Sequence, residues 1–107
     1  MKARLVRSNW FKADLVTAFA WYYEQAGRQV AARLAHKVRD TLKLIQKYPE
    51  LAPLRTIAGV QIRSYPLREF PYVLYWNFDG ETVVLAAFLH ASQDRHALLS
   101  ARHPWRH

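Results

Sequence analysis

The sequence predicts an α+β fold in which two helices pack on one face of a small antiparallel sheet. Two observations predict it: apolar residues recur at helical spacing in the first half of the chain, and the period changes to alternation from Val60 onward. The expected order is strand, helix, helix and three strands, with a possible short C-terminal helix, which makes a sheet of three to four strands. No linker divides the chain, so residues 1–107 are expected to form a single domain.

The first half of the chain predicts a strand and a helical hairpin. Residues 3–7 can form a short strand, and Ser8 can cap the following helix because its hydroxyl accepts from an amide one turn ahead. Apolar residues over 11–26 form one stripe of that helix, which is expected to end at Gly27. The second helix, 28–48, has an apolar arc opposite a basic one, and a proline ends it.

The second half predicts strands and a short helix. Residues 60–65 alternate, and 72–78 are aromatic or β-branched. An Asp-Gly pair at 79–80 predicts a hairpin, after which 82–89 form a nearly all-apolar strand. Residues 94–102 can form the last helix. Alternation places four bulky side chains on one face of a strand: Tyr72, Leu74, Trp76 and Phe78. The pattern leaves open which face of the sheet meets the helices.

Composition describes a basic protein. The net charge is +8 and the pI about 10.2. Residues 1–47 hold ten basic and three acidic residues, a net charge of +7. Such a surplus favours an anionic partner, either a nucleic acid or an acidic protein, although it could also solvate a helix face.

Several classes of site are excluded or not indicated. The chain has no cysteine, which excludes disulfides, thiolate catalysis and cysteine-based zinc sites. Four histidines show no metal-ligand spacing, so neither a metal nor a cofactor is expected; they are His36, His96, His103 and His107. No apolar run is long enough to span a bilayer, and the start lacks a signal-peptide pattern, which predicts a cytoplasmic protein without a membrane partner.

Four segments of the chain carry recognisable motifs: 70–75, Phe-Pro-Tyr-Val-Leu-Tyr; the strand-ending 87–90 with Arg95 nearby; Arg63 on the preceding strand; and the helix-opening pattern of Ser8 with Asp14-Leu15. Together with the order of elements from residue 3 to 102, they resemble the ParE/RelE superfamily of toxins from bacterial type II toxin–antitoxin modules. The most specific is 70–75, which is similar to the family's Phe-Pro-Tyr-x-apolar-Tyr segment. The long helical hairpin and the lack of lysine after Lys47 make the chain closer to ParE, the plasmid stabilisation family, than to RelE.

The resemblance implies a toxin that inhibits DNA gyrase without being an enzyme and is neutralised by a cognate antitoxin. The alternative is a RelE-like, ribosome-dependent mRNA endoribonuclease with His90, Arg63 and Arg95 as catalytic residues. Such cleavage needs a base for the 2′-hydroxyl, cations for the developing charge and an acid for the leaving oxygen. A degenerate toxin that keeps the fold and antitoxin binding but has lost its target is a third possibility. The residues expected to bind the target are Arg63, Arg68, His90, Arg95, Arg102 and Trp105.

Two of these residues have a structural interpretation as well. His90 could be a hydrogen-bonded structural histidine at the end of an apolar strand. Arg63 could pair with Glu69 or Glu81 as part of the scaffold.

A surface for another protein chain is expected on the helices. The outer face of the first helix is too apolar for solvent alone, and tryptophan is a favoured interface anchor. In the family, the antitoxin's C-terminal segment is commonly acidic and wraps the toxin, which suits the basic arc of the second helix. The residues expected to bind it are Trp10, Trp21, Arg33, Lys37 and Leu44. The same surface could instead take a second copy, so a homodimer and a toxin–antitoxin hetero-oligomer both remain open.

Overall fold

The computed structural model describes residues 2–104, which form five strands and three helices. They follow in the order β1 (Arg4–Arg7), α1 (Asn9–Ala26), α2 (Arg28–Lys47), β2 (Leu54–Ile57), β3 (Val60–Pro66), β4 (Tyr72–Phe78), β5 (Thr82–His90) and α3 (Arg95–Arg102). The predicted α+β fold, the helical hairpin and the C-terminal helix are confirmed. Within the described residues no helix is both long enough and apolar enough to cross a membrane.

The strands form one mixed sheet in the order β1-β5-β4-β3-β2. The sequence predicted four of these strands and missed β2, which pairs with β3 across a turn at 58–59. Neighbouring strands are antiparallel except β1 and β5, which run parallel with Leu5 opposite Val83. Strand β5 therefore has a partner on both edges over its first half, as its nearly all-apolar sequence requires.

Two residues set the limits of α1. The Ser8 Oγ accepts a hydrogen bond from the Phe11 amide at 3.1 Å and donates to the Ala86 carbonyl at 3.3 Å, so the N-cap also ties the helix to β5. At the other end Gly27 has a φ of 90°, a conformation that side chains disfavour, and it links α1 directly to α2. The predicted cap and helix end are both confirmed.

The helical hairpin covers the face of the sheet that carries Leu74 and Trp76, which settles the choice that alternation left open. Both side chains are fully buried, and the Trp76 Nε1 donates to the Pro49 carbonyl at 2.9 Å. The opposite face is covered by α3, where Leu99 packs in a second cluster with Tyr75 and Leu89. The sheet is thus buried on both faces, with α1 and α2 on one side and α3 on the other.

A bulge in β5 adjusts the sheet where α1 begins. Tyr75 lies opposite Ala87 and Trp76 opposite Leu85, so Ala86 is the extra residue of β5. The carbonyl of this extra residue is the group that the N-cap hydroxyl binds. The bulge and the start of α1 therefore stabilise each other.

The turn between β4 and β5 is organised by Asp79. Its Oδ1 accepts from the Thr82 amide at 2.8 Å and the Glu81 amide at 2.9 Å. These hydrogen bonds, that from Thr82 first, lower the pKa of the Asp79 carboxyl. The hairpin predicted from the Asp-Gly pair is confirmed.

Candidate functional site

A cleft lies where α1 passes the last residue of β5. It has a volume of about 400 Å³. We name it the aromatic cleft, and its lining residues are Thr17, Trp21, Tyr22, Pro71, Tyr72, His90 and Ser92. Pro71 and Tyr72 of the Phe-Pro-Tyr segment and the strand-ending His90, which carried the resemblance in the sequence, thus line one site.

The rings of the aromatic cleft form a connected series. Tyr72 stacks on Phe88 with centroids 4.6 Å apart, and His90 meets Tyr72 edge-on at 5.3 Å. Trp21 meets Tyr22 edge-on at 4.9 Å on the α1 side. Burial raises the pKa of the Tyr72 hydroxyl, and the neighbouring Tyr22 raises it further. The cleft therefore presents rigid aromatic walls, and the Tyr72 hydroxyl among them stays protonated at neutral pH.

His90 is held through one ring nitrogen and one backbone group. Its Nδ1 accepts from the Ser92 amide at 3.0 Å and lies 2.7 Å from the Ser92 Oγ. Its backbone amide donates to the Gln93 Oε1 at 2.7 Å. Because Nδ1 accepts from an amide, the proton of the neutral ring is on Nε2. His90 is thus fixed in orientation by the turn that follows it, while its ring lines the cleft.

Arg63 lies outside the aromatic cleft, and its partners are not the carboxylates that the sequence led us to expect. Its side chain is only 13% exposed, and its Nη1 donates to the Ala52 carbonyl at 2.6 Å. Its Nη2 lies 3.4 Å from the Glu50 carboxylate. The expected pairing with Glu69 or Glu81 is wrong, because the turn after α2 folds over β3 and brings its own acceptors. Arg63 holds that turn against the sheet.

The three candidate nuclease residues are not brought together. Arg63 lies opposite Trp76 of β4, whereas His90 lies opposite Tyr72. Arg63 and His90 are four residues apart along the strand direction and two strands apart across the sheet, which corresponds to a separation of about 16 Å between their backbones. Arg95 is exposed at the start of α3, a short turn after His90, so only these two are near each other. Among residues 2–104 there is also no group of three or more histidine, aspartate or glutamate side chains that could hold a metal ion.

Arg102 pairs with Asp14. Its Nη1 and Nη2 lie 2.7 and 3.0 Å from the two carboxylate oxygens, and the side chains are only 10% and 12% exposed. The carboxylate also accepts from the Phe88 amide at 3.0 Å, and the guanidinium lies over the Trp10 ring at 4.8 Å. These contacts join α1, β5 and α3, so the Arg102 side chain is already engaged within the fold.

The two remaining candidates for target binding lie outside this region. Arg68 is exposed in the loop between β3 and β4, at a φ of 22°, and lines a shallow pocket on the flank of α2. Trp105 lies outside the described residues. Of the five candidates within residues 2–104, only His90 lines the aromatic cleft, and Arg95 is the nearest exposed arginine along the chain.

The residues expected to bind an antitoxin are spread around the hairpin. Trp21 lines the aromatic cleft, and the series of rings continues through Tyr22 to Phe70, over which Arg33 lies at 5.7 Å. Lys37 and Leu44 line the shallow pocket beside Arg68 on the far flank of α2, and Trp10 lies at the opposite end of α1 beneath Arg102. A single segment could contact all five only by wrapping the hairpin.

A second groove was not predicted. It lies between β1 and the hairpin, with a volume of about 340 Å³. We name it the hairpin groove; its floor is apolar, with Leu5, Leu15, Phe19, Val38 and Leu42, and its cationic rim is Arg7, Arg39 and Lys43. The basic arc of α2 was visible in the sequence. The groove itself depends on the parallel placement of β1 beside β5, which no local pattern indicates.

Comparison with known proteins identifies the family. A family model described as the ParE toxin of the type II toxin–antitoxin system parDE matches residues 5–95. The chain belongs to the ParE toxin family. A solved structure entitled "Chromosomal ParDE TA system from P. aeruginosa" matches with a TM-score of 0.72 at 16% identity, over 83% of this chain and 96% of that chain, which shows the shared fold. None of the curated proteins compared with the chain matches it.

Proposed function

We propose that this ParE-family toxin acts in the cytoplasm by binding DNA gyrase and inhibiting it, and that a cognate antitoxin neutralises it. The observation that carries the proposal against the nuclease alternative is the separation of about 16 Å between Arg63 and His90. Cleavage needs a base and phosphate-binding cations at one phosphate, and Arg63, which is held by the Ala52 carbonyl and the Glu50 carboxylate, is not free to join His90 and Arg95 there. Action by binding needs no such assembly.

The target-facing surface that we propose is the aromatic cleft together with Arg95. Rigid aromatic side chains bind protein partners at a small cost in conformational entropy, and arginine is enriched among the residues that dominate such interfaces. His90 is the polar group of the cleft whose orientation is fixed, by Ser92 and Gln93. Arg63 and Arg102 support this surface from inside the fold rather than contact the target.

Neutralisation would follow from shared residues. Trp21, expected to bind the antitoxin, and His90, expected to bind the target, line the same cleft. An antitoxin that covers Trp21 therefore also covers His90. The hairpin groove adds a second contact, because its apolar floor and cationic rim suit an acidic segment with apolar residues on one side.

The proposal is tested by the supercoiling activity of purified gyrase on a relaxed plasmid. The wild-type chain is expected to inhibit, and His90→Ala and Arg95→Ala are each expected to weaken inhibition. A hot-spot truncation costs about 2 kcal/mol, roughly 30-fold in the half-inhibitory concentration. The matched control is Arg55→Ala, which removes an exposed arginine from the far edge of the sheet.

Three results would count against the proposal. If the purified chain left gyrase activity unaffected, gyrase would not be its target. If Arg55→Ala weakened inhibition as much as His90→Ala and Arg95→Ala, the cleft would not be the gyrase-binding site. Cleavage of ribosome-bound mRNA by the purified chain, abolished by His90→Ala, would establish the endoribonuclease instead. Antitoxin neutralisation is tested separately, by asking whether Trp21→Ala weakens the binding of the antitoxin encoded beside this gene.

A further inference from the structure

Helix α1 carries a second apolar seam on its solvent side. Ala13, Val16, Ala20 and Tyr23 follow one another at spacings of three, four and three residues, which place them on one face of a helix. All four are exposed, Val16 at 67% and Tyr23 at 58%. A helix that buries one face normally has a polar opposite face, and α1 does not. Its outer face therefore has the pattern of a helix with a second helix packed against it.

The seam differs in charge from the hairpin groove. The charged side chains of α1 are Lys12, Asp14 and Glu24, of which Asp14 is engaged by Arg102 inside the fold. Lys12 and Glu24 flank the seam, and neither belongs to it. An acidic partner would find Lys12 alone beside the seam, with Glu24 on the other flank, whereas the groove offers three cations on its rim. The occupant of the seam is therefore expected to be uncharged where it touches.

We propose that the seam binds the same seam of a second copy, so that two toxins associate through antiparallel α1 helices. Copies of a chain with a net charge of +8 repel each other, and they can approach best through a surface without excess charge. A two-fold axis near Ala18 pairs Val16 with Ala20 of the other copy. It pairs Ala13 with Tyr23 in the same way, so that each larger side chain meets a methyl group.

The register also suits the flanking charges. Lys12 of one copy lies at the level of Glu24 of the other, so no two like charges on α1 meet across the axis. A parallel pairing would instead place Lys12 beside Lys12 and Tyr23 beside Tyr23, which brings like charges together and large side chains against each other. The antiparallel arrangement is therefore the one that the sequence of α1 favours.

The size of the seam indicates a reversible dimer. From Ala13 to Tyr23 the helix rises about 15 Å. A strip of that length on a helix roughly 10 Å wide is smaller than the roughly 800 Å² that each partner buries in a standard stable interface. Association weaker than micromolar is therefore expected, and it is independent of the gyrase proposal.

Cysteine cross-linking tests both the contact and its direction, because the chain has no cysteine of its own. Ala13→Cys and Tyr23→Cys variants, mixed and mildly oxidised, are expected to form a disulfide-linked dimer faster than either variant alone. The control mixture pairs Ala13→Cys with Thr56→Cys, an exposed position on β2, and is expected to remain monomeric. Rapid cross-linking of each α1 variant alone would contradict the antiparallel register.

Sedimentation over a concentration series tests the dimer without cysteine. Val16→Glu is expected to weaken self-association at least tenfold, whereas Leu54→Glu, at an apolar side chain 50% exposed on β2, leaves it unchanged. A wild-type chain that stays monomeric up to about 1 mM would overturn the proposal. The proposal would also be overturned if the residues of the seam were shielded from solvent only when antitoxin is bound, because the surface would then belong to the antitoxin.

Discussion

Loss of the Arg102 guanidinium is predicted to destabilise the whole fold. In Arg102→Met the Asp14 carboxylate, whose side chain is 12% exposed, keeps the Phe88 amide but loses both of its charged hydrogen bonds. Removing one partner of a buried pair costs about 3–5 kcal/mol. The lower value applies, since some of each side chain still contacts water. As about 1 kcal/mol shifts the Tm of a domain near this size by roughly 4 °C, the Tm should fall by roughly 12 °C.

The assay is thermal and urea unfolding followed by circular dichroism, with Arg95→Met as the exposed control on the same helix. A double-mutant cycle with Asp14→Asn isolates the pair, because asparagine keeps an acceptor for the Phe88 amide. The double variant is expected to lose clearly less stability than the sum of the two single losses. A loss below about 1 kcal/mol in Arg102→Met would mean that the pair behaves as an exposed one and would refute the reasoning.

Two further predictions concern stability. Arg63→Met is expected to lower the free energy of unfolding by about 1–3 kcal/mol, because the buried Ala52 carbonyl loses its donor. Chemical denaturation measures this loss, and an unchanged stability would mean that other contacts hold the turn. Burial raises the pKa of Tyr72, so its contribution to stability is fully present below pH 10 and is lost as the pH rises through the folded-state pKa. Unfolding at increasing alkaline pH should therefore show a smaller decline for Tyr72→Phe than for the wild type, and equal declines would show that this hydroxyl does not control the loss.

The local elements of the fold were predictable because single residues determine them. Ser8 caps α1, Gly27 ends it, and the Asp79 carboxylate closes the hairpin, each through contacts within four residues. Strand β2 was missed because its four residues show little pattern: Arg55 and Thr56 are exposed and only Ile57 is buried. Its pairing with β3 stabilises it more than its own sequence does.

The site was less predictable, because its arginines have distant partners. Arg102 meets Asp14 across 88 residues, and Arg63 takes its acceptors from a turn that no periodicity indicates. From the sequence alone both were expected to face a target, since an arginine near a recognised motif carries no sign of whether a carboxylate will be folded against it. His90 was located correctly at the end of its strand, and the structure adds the cleft around it.

The most direct test of the central claim is induction of this toxin alone in growing bacteria, with plasmid supercoiling and mRNA integrity measured in the same cultures. Inhibition of gyrase predicts relaxed or cleaved DNA with intact transcripts, and both effects on DNA should weaken in His90→Ala. Cut transcripts with normally supercoiled DNA would contradict the account.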